Sequence, residues 1–99
     1  MALRIVKVGR VRNGLLRTAA VDIIGLDYDW WHSLAAADDQ LEPGEEPMPM
    51  GPDGWLHYGR VGEAGQPEEP TWPDTSGHQT AEEAAAALVA KLGRAVRWQ

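Results

Sequence analysis

Apolar positions open the chain as a β-branched run. RIVKVGRV, residues 4–11, places Ile5, Val6, Val8 and Val11 among basic residues, a pattern that fits a pleated surface and predicts a strand. Asn13-Gly14 follows, a two-residue hairpin signal because both positions tolerate positive φ. The next segment, LLRTAAVDII, suits two periods. As a helix it gathers Leu15, Leu16, Ala19, Ala20, Ile23 and Ile24 on one face, with Gly25 as the stop. As a strand it completes a hairpin, and Val21, Ile23 and Ile24 favour that reading. A two-residue turn would set Arg10 opposite Arg17, an unfavourable like-charge pair. The hairpin is the expectation adopted.

DYDWWHSL, residues 27–34, then breaks the pattern. Asp29 is a good N-cap for a helix over about 30–41, in which Trp30, Leu34, Ala37 and Leu41 fall at helical spacing and Pro43-Gly44 ends the run. EPGEEPMPMGPDG, residues 42–54, is a Pro/Gly/Glu loop expected to be mobile, as is the turn-rich stretch 62–79, where Thr71-Trp72 could form a short edge strand. Between them WLHYGRV, residues 55–61, reads as a second clear strand. The last element is the plainest. Thr80 and Glu83 form a capping box, AEEAAAALVAKL runs on with Ala84, Ala87, Leu88 and Leu92 along one face, Lys91 suits the C-terminus, and Gly93 stops it. RAVRWQ offers a final short strand. The expected fold is α+β in a single domain over 1–99: a small antiparallel sheet of three or four strands packed against a C-terminal helix (about 80–92), with a shorter helix over about 30–41.

Composition narrows the class. The chain has 99 residues, of which 43% are hydrophobic and 24% charged, an ordinary globular make-up with room for one modest core. No apolar run approaches the ~20 residues of a membrane span, and the start lacks the pattern of a signal peptide, so no membrane is expected. There is no cysteine, which excludes disulfides, thiolate metal sites and cysteine nucleophiles and suits a reducing cytoplasm. Arginine outnumbers lysine seven to two and phenylalanine is absent, the usage of a GC-rich genome; a phage or mobile element is the expected source.

Charge is segregated along the chain. Residues 1–17 carry Arg4, Lys7, Arg10, Arg12 and Arg17 and no acid. Residues 18–59 carry Asp22, Asp27, Asp29, Asp38, Asp39, Glu42, Glu45, Glu46 and Asp53 and no Lys or Arg. The tail, with Lys91, Arg94 and Arg97, is basic again, and the net charge is −6.

Candidate chemistry is sparse. Asp27-x-Asp29 after an apolar run resembles the DxD of haloacid-dehalogenase phosphatases and of metal-dependent glycosyltransferases, in which paired carboxylates share Mg²⁺ or Mn²⁺. The resemblance implies a metal-dependent hydrolase or transferase at Asp27 and Asp29. It departs from the phosphatase pattern at Trp31, where Thr or Val is usual, and those folds need a much longer chain. Trp72-Pro73-Asp74 resembles the WPD loop of tyrosine phosphatases, whose chemistry needs a cysteine that this chain lacks. GWLHYGRV…TWPDTSGHQTAEEAAAAL is similar in rhythm to the small arm-binding domains of tyrosine-type phage integrases, over the C-terminal half and without a specific motif; that half is acidic, the wrong sign for phosphate. His32, His57 and His78 have no ligand spacing, and Ser33, Thr75, Ser76 and Thr80 lie in no nucleophile motif. No cofactor, no metal ligand and no catalytic residue is assigned, and a non-enzymatic role is favoured.

The tryptophans carry more. Trp30 and Trp31 on one helix diverge by about 100°, so one of them is left to face outward. Trp is enriched at protein interfaces. The leading expectation is therefore a small cytoplasmic accessory or regulatory protein with an acidic, Trp-bearing face. That face comprises Asp27, Asp29, Trp30, Trp31, His32, Asp38 and Asp39, meets a protein partner of basic character, and could also serve a homodimer. The alternative is a nucleic-acid-binding module using Arg4, Lys7, Arg10, Arg12 and Arg17 of the basic hairpin.

Overall fold

A computed structural model of the chain describes residues 2–12, 18–62 and 73–99. Four strands form one antiparallel sheet in the order β3-β2-β1-β4, with β1 Leu3–Arg12, β2 Thr18–Leu26, β3 Leu56–Val61 and β4 Val96–Trp98. Two helices accompany it, α1 Trp30–Ala37 and α2 Ala81–Leu92. The expected α+β fold with its C-terminal helix is present.

The β1–β2 register corrects one expectation. Arg12 pairs with Thr18 and Arg10 with Ala20, so five residues separate the strands and Arg10 does not face Arg17. The Asn13-Gly14 turn itself lies outside the described residues, as does the edge strand expected at Thr71-Trp72. Helical reading of residues 18–24 is excluded, because β2 pairs on both sides and its residues Val21–Leu26 are all buried. A β-bulge at Val6 shifts the register between Ile5 and Lys7. The extra residue changes which side chains share a face. Leu3 and Ile5 before it, and Val8, Arg10 and Arg12 after it, all lie on one side of the sheet.

The opposite side is covered by α2. Val11, Val21, Ile23, Ala84, Ala85 and Leu88 form its core. Gly59 allows the close approach of that helix, since a Cβ there would sit 3.0 Å from Leu88 Cβ. The Thr80 hydroxyl accepts from Glu83 N at 3.2 Å and donates to the Glu83 carboxylate at 2.9 Å, and Gly93 closes the helix at φ 67°. On the first side a second cluster joins Ile24, Leu26, Leu56 and Tyr58 to Tyr28, Trp30 and Met50. α1 stops earlier than the expected residue 41: Asp38 caps it and Asp39 turns left-handed at φ 55°, a conformation that Asp tolerates.

The outer edge of β3 is protected by a returning segment. His57 and His78 exchange both backbone hydrogen bonds, Asp74 N donates to Gly59 O, and the Asp74 carboxylate accepts from Val61 N. Asp74 of the WPD triplet thus serves the backbone of an edge strand.

Candidate functional site

Asp27 and Asp29 are both engaged by backbone donors. Asp27 Oδ1 accepts from Ala2 N at 2.8 Å, tying the start of β1 to the end of β2. Asp29 Oδ1 accepts from His32 N at 3.1 Å as the helix N-cap, and its Oδ2 accepts from Met48 N at 2.8 Å. Each carboxylate therefore closes a junction. Among the described residues no group of three His, Asp or Glu side chains could hold a metal ion.

The two tryptophans diverge as the helix dictates. Trp30 packs into the cluster around Tyr58, and its backbone N–H donates to the Tyr58 hydroxyl at 2.9 Å. Trp31 meets the Trp30 ring edge-on at 4.9 Å between centroids and donates its indole N–H to Thr75 O at 3.1 Å, yet remains 37% exposed. That bond fixes the orientation of the indole. His32, half-buried, approaches Glu45 O at 3.3 Å. Asp38 and Asp39 are exposed at the C-terminal end of α1, where the helix dipole is negative and no basic residue occupies the last turn. Glu42, Glu45 and Glu46 follow, all exposed. Because α1 leaves from Leu26 and the loop 42–54 returns to Leu56, and these two residues are paired, the acidic groups gather beyond one end of the sheet.

Burial raises the Tyr58 hydroxyl to about 12, against a partial lowering by the Trp30 N–H; the nearby Asp29 charge adds to the rise. Tyr28 is raised by burial and by Asp27. Burial is the largest single influence on Asp53 and pulls its carboxyl up, but the Trp55 N–H, His57 and Arg4 together outweigh it and hold the carboxyl below its usual range.

The basic residues divide into two groups. Arg4 pairs with Asp53 at 2.8 Å and lies over the Trp55 ring, and Lys7 lies over Trp98. Arg17 lies outside the described residues. Arg10 and Arg12 remain exposed, and the structure brings them beside two residues that the basic-hairpin reading had not included. Arg97 on β4 pairs directly across from Arg10, and Arg94 donates to Arg12 O. Only the C-terminal +3 of the tail hinted at this, and the β1–β4 pairing joins it to the hairpin from 87 residues away (Arg10 to Arg97).

One charged pair is internal. Arg60 grips Asp22 through two bonds, Nε to Oδ1 at 2.9 Å and Nη2 to Oδ2 at 2.6 Å, with both side chains essentially inaccessible. The signal was present as one acid inside the apolar run of β2 and one base inside that of β3.

Comparison with protein families, curated proteins and solved structures returns no match. No helix among the described residues is long and apolar enough to cross a membrane. The fold and its surface define a small α+β domain with an acidic end and an arginine end.

Proposed function

We propose that the protein is a non-enzymatic accessory or regulatory module that binds another protein through the acidic end bearing Trp31. A single observation carries this reading. α1 presents an exposed, oriented Trp31 and, seven residues on along the same stripe, Asp38 with Asp39 at the dipole-negative end of the helix. Acids at that end cost helix stability, and among the described residues neither forms an ion pair. A basic partner would supply the missing cation, and an exposed aromatic anchor flanked by charge matches the make-up of interface hot spots. Asp27 and Asp29 hold the helix in place; Trp31, Asp38 and Asp39 make the contact. We place this activity in the cytoplasm, in keeping with a sequence free of cysteine.

Affinity capture from a GC-rich bacterial host, with the unaltered protein and with the Asp38→Lys/Asp39→Lys and Trp31→Ala variants, tests the proposal. Proteins retained by the unaltered chain should be lost from the charge-reversed variant and released by ~0.5 M salt, since exposed charges are then screened within a few ångströms. Equal retention by all three variants at both salt concentrations would sink it. Self-association through this face would show as a dimer in sedimentation that the same substitutions dissolve.

A further inference from the structure

The opposite end of the sheet carries a second feature, independent of the acidic face. Arg10 and Arg97 are direct cross-strand partners on the same side of the β1–β4 ladder. Arg12 lies two residues beyond Arg10 on that side, about 7 Å along the strand. Arg94, in the connection between α2 and β4, donates to Arg12 O and so brings a fourth guanidinium to the same end. All four are exposed, and among the described residues none forms an ion pair. Arg10, Arg12 and Arg97 border an open groove of about 450 Å³ whose floor includes Val11, Thr18, Ala95 and Val96, and Arg94 lines an adjoining hollow with Arg12, Val61 and Leu92.

Opposed like charges on neighbouring strands destabilise a sheet. The arrangement would be relieved by acids nearby, yet the acids of α1 and the 42–54 loop lie beyond the other end. The stretch of β2 from Ala20, level with Arg10, to Leu26 spans about 20 Å. At physiological ionic strength charges are screened over about 8 Å, so the acids of α1 and the 42–54 loop scarcely reach this end. The cations are all arginine, whose planar fork suits phosphate oxygens, and they are set in a row along strand ends rather than around a closed pocket. A row of guanidinium groups on an open groove fits a chain of phosphates better than a single enclosed anion.

We propose that this arginine end binds the phosphate backbone of a nucleic acid, with Arg10, Arg12, Arg94 and Arg97 as the contacts and no base-specific readout. The geometry replaces Arg4 and Lys7, which are held by Asp53, Trp55 and Trp98, with the two arginines of the C-terminal tail.

Fluorescence anisotropy with a labelled 20-nucleotide single strand, the matching duplex and a labelled poly-glutamate tests it on the full chain. Either nucleic acid should bind with a dissociation constant of micromolar order at 50 mM salt, and three or four contacts should weaken binding on the order of 30- to 100-fold between 50 and 200 mM salt. The two nucleic acid arms tell single strand from duplex. Arg10→Gln/Arg97→Gln should lower the salt slope by about two, and Arg97→Glu should abolish binding while raising Tm by about 2 °C, because it removes the like-charge pair. That combination, greater stability with lost binding, excludes simple misfolding. Absence of nucleic acid binding at 50 mM salt, or binding undiminished in the double variant, overturns the proposal. Equal affinity for poly-glutamate overturns it in favour of an acidic protein partner.

Discussion

The buried Asp22–Arg60 pair decides much at the residue scale. Two charges are held out of water there, joined by two aligned hydrogen bonds. Asp22→Asn keeps the shape but removes the negative charge that the buried guanidinium grips, and should cost about 3–5 kcal/mol in urea unfolding; replacing both residues, as Asp22→Val/Arg60→Met, should cost less than the single change. Tyr58 adds a pH signature. Its hydroxyl ionises near 10 in an unfolded chain and is pushed up to about 12 in the fold. The neutral form is favoured by folding, so this stabilisation is complete below pH 10 and is lost as pH rises through 12. Between pH 9 and 12 the urea midpoint of the unaltered protein should fall more steeply than that of Tyr58→Phe, by at most about 3 kcal/mol of stability. The pairing of Asp22 with Arg60 was not legible as a contact, because 38 residues separate them. The lone opposite charges in two apolar strands were its only trace. Asp29 was legible as a cap because that role is local; the use of its second oxygen by Met48 N was not.

At the scale of elements, legibility follows how local the determining interactions are. α2 could be read almost to the residue, since Thr80, Glu83 and Gly93 act within one turn of its ends. Thr80→Ala should therefore lower stability by about 1 kcal/mol, and Gly93→Ala by about 1–2 kcal/mol through the left-handed backbone it requires; thermal denaturation of the two variants measures both. β2 was ambiguous because its apolar residues satisfy both the helical and the strand period, and the choice is made by two neighbouring strands far off in sequence. The bulge at Val6 had no sequence mark, yet it determines that Arg10 and Arg12 share a side with Leu3 and Ile5. Without it the strand alternation would place them on the α2 side. α1 was predicted too long since Asp39, rather than Pro43-Gly44, makes the turn. Packing of α2 also depends on Gly59: Gly59→Ala should push Leu88 outward and cost roughly 1–3 kcal/mol, read from the urea midpoint.

Over the whole molecule, the principal extents of 48 × 27 × 26 Å describe an elongated body, and its charges are divided between ends. The sequence showed basic termini around an acidic middle; the sheet turns that into an arginine end and an acidic end by placing β4 beside β1 and returning the 42–54 loop to Leu56. Two surfaces so arranged should act independently at physiological ionic strength and interact at low ionic strength. The reason lies in the screening length, about 8 Å at 0.15 M and about 30 Å at 0.01 M, set against the roughly 20 Å of β2 that separates the level of Arg10 from Leu26. Neutralising Asp38 and Asp39 with Asn should therefore leave oligonucleotide affinity within a factor of two at 0.15 M salt and strengthen it several-fold at 0.01 M, where the acidic end repels phosphate across the molecule. Anisotropy titrations of the two proteins at both salt concentrations measure this. A several-fold change that persists at 0.15 M would mean that the acids lie close enough to the arginines to act on the same ligand, and the separation of the two surfaces would fall.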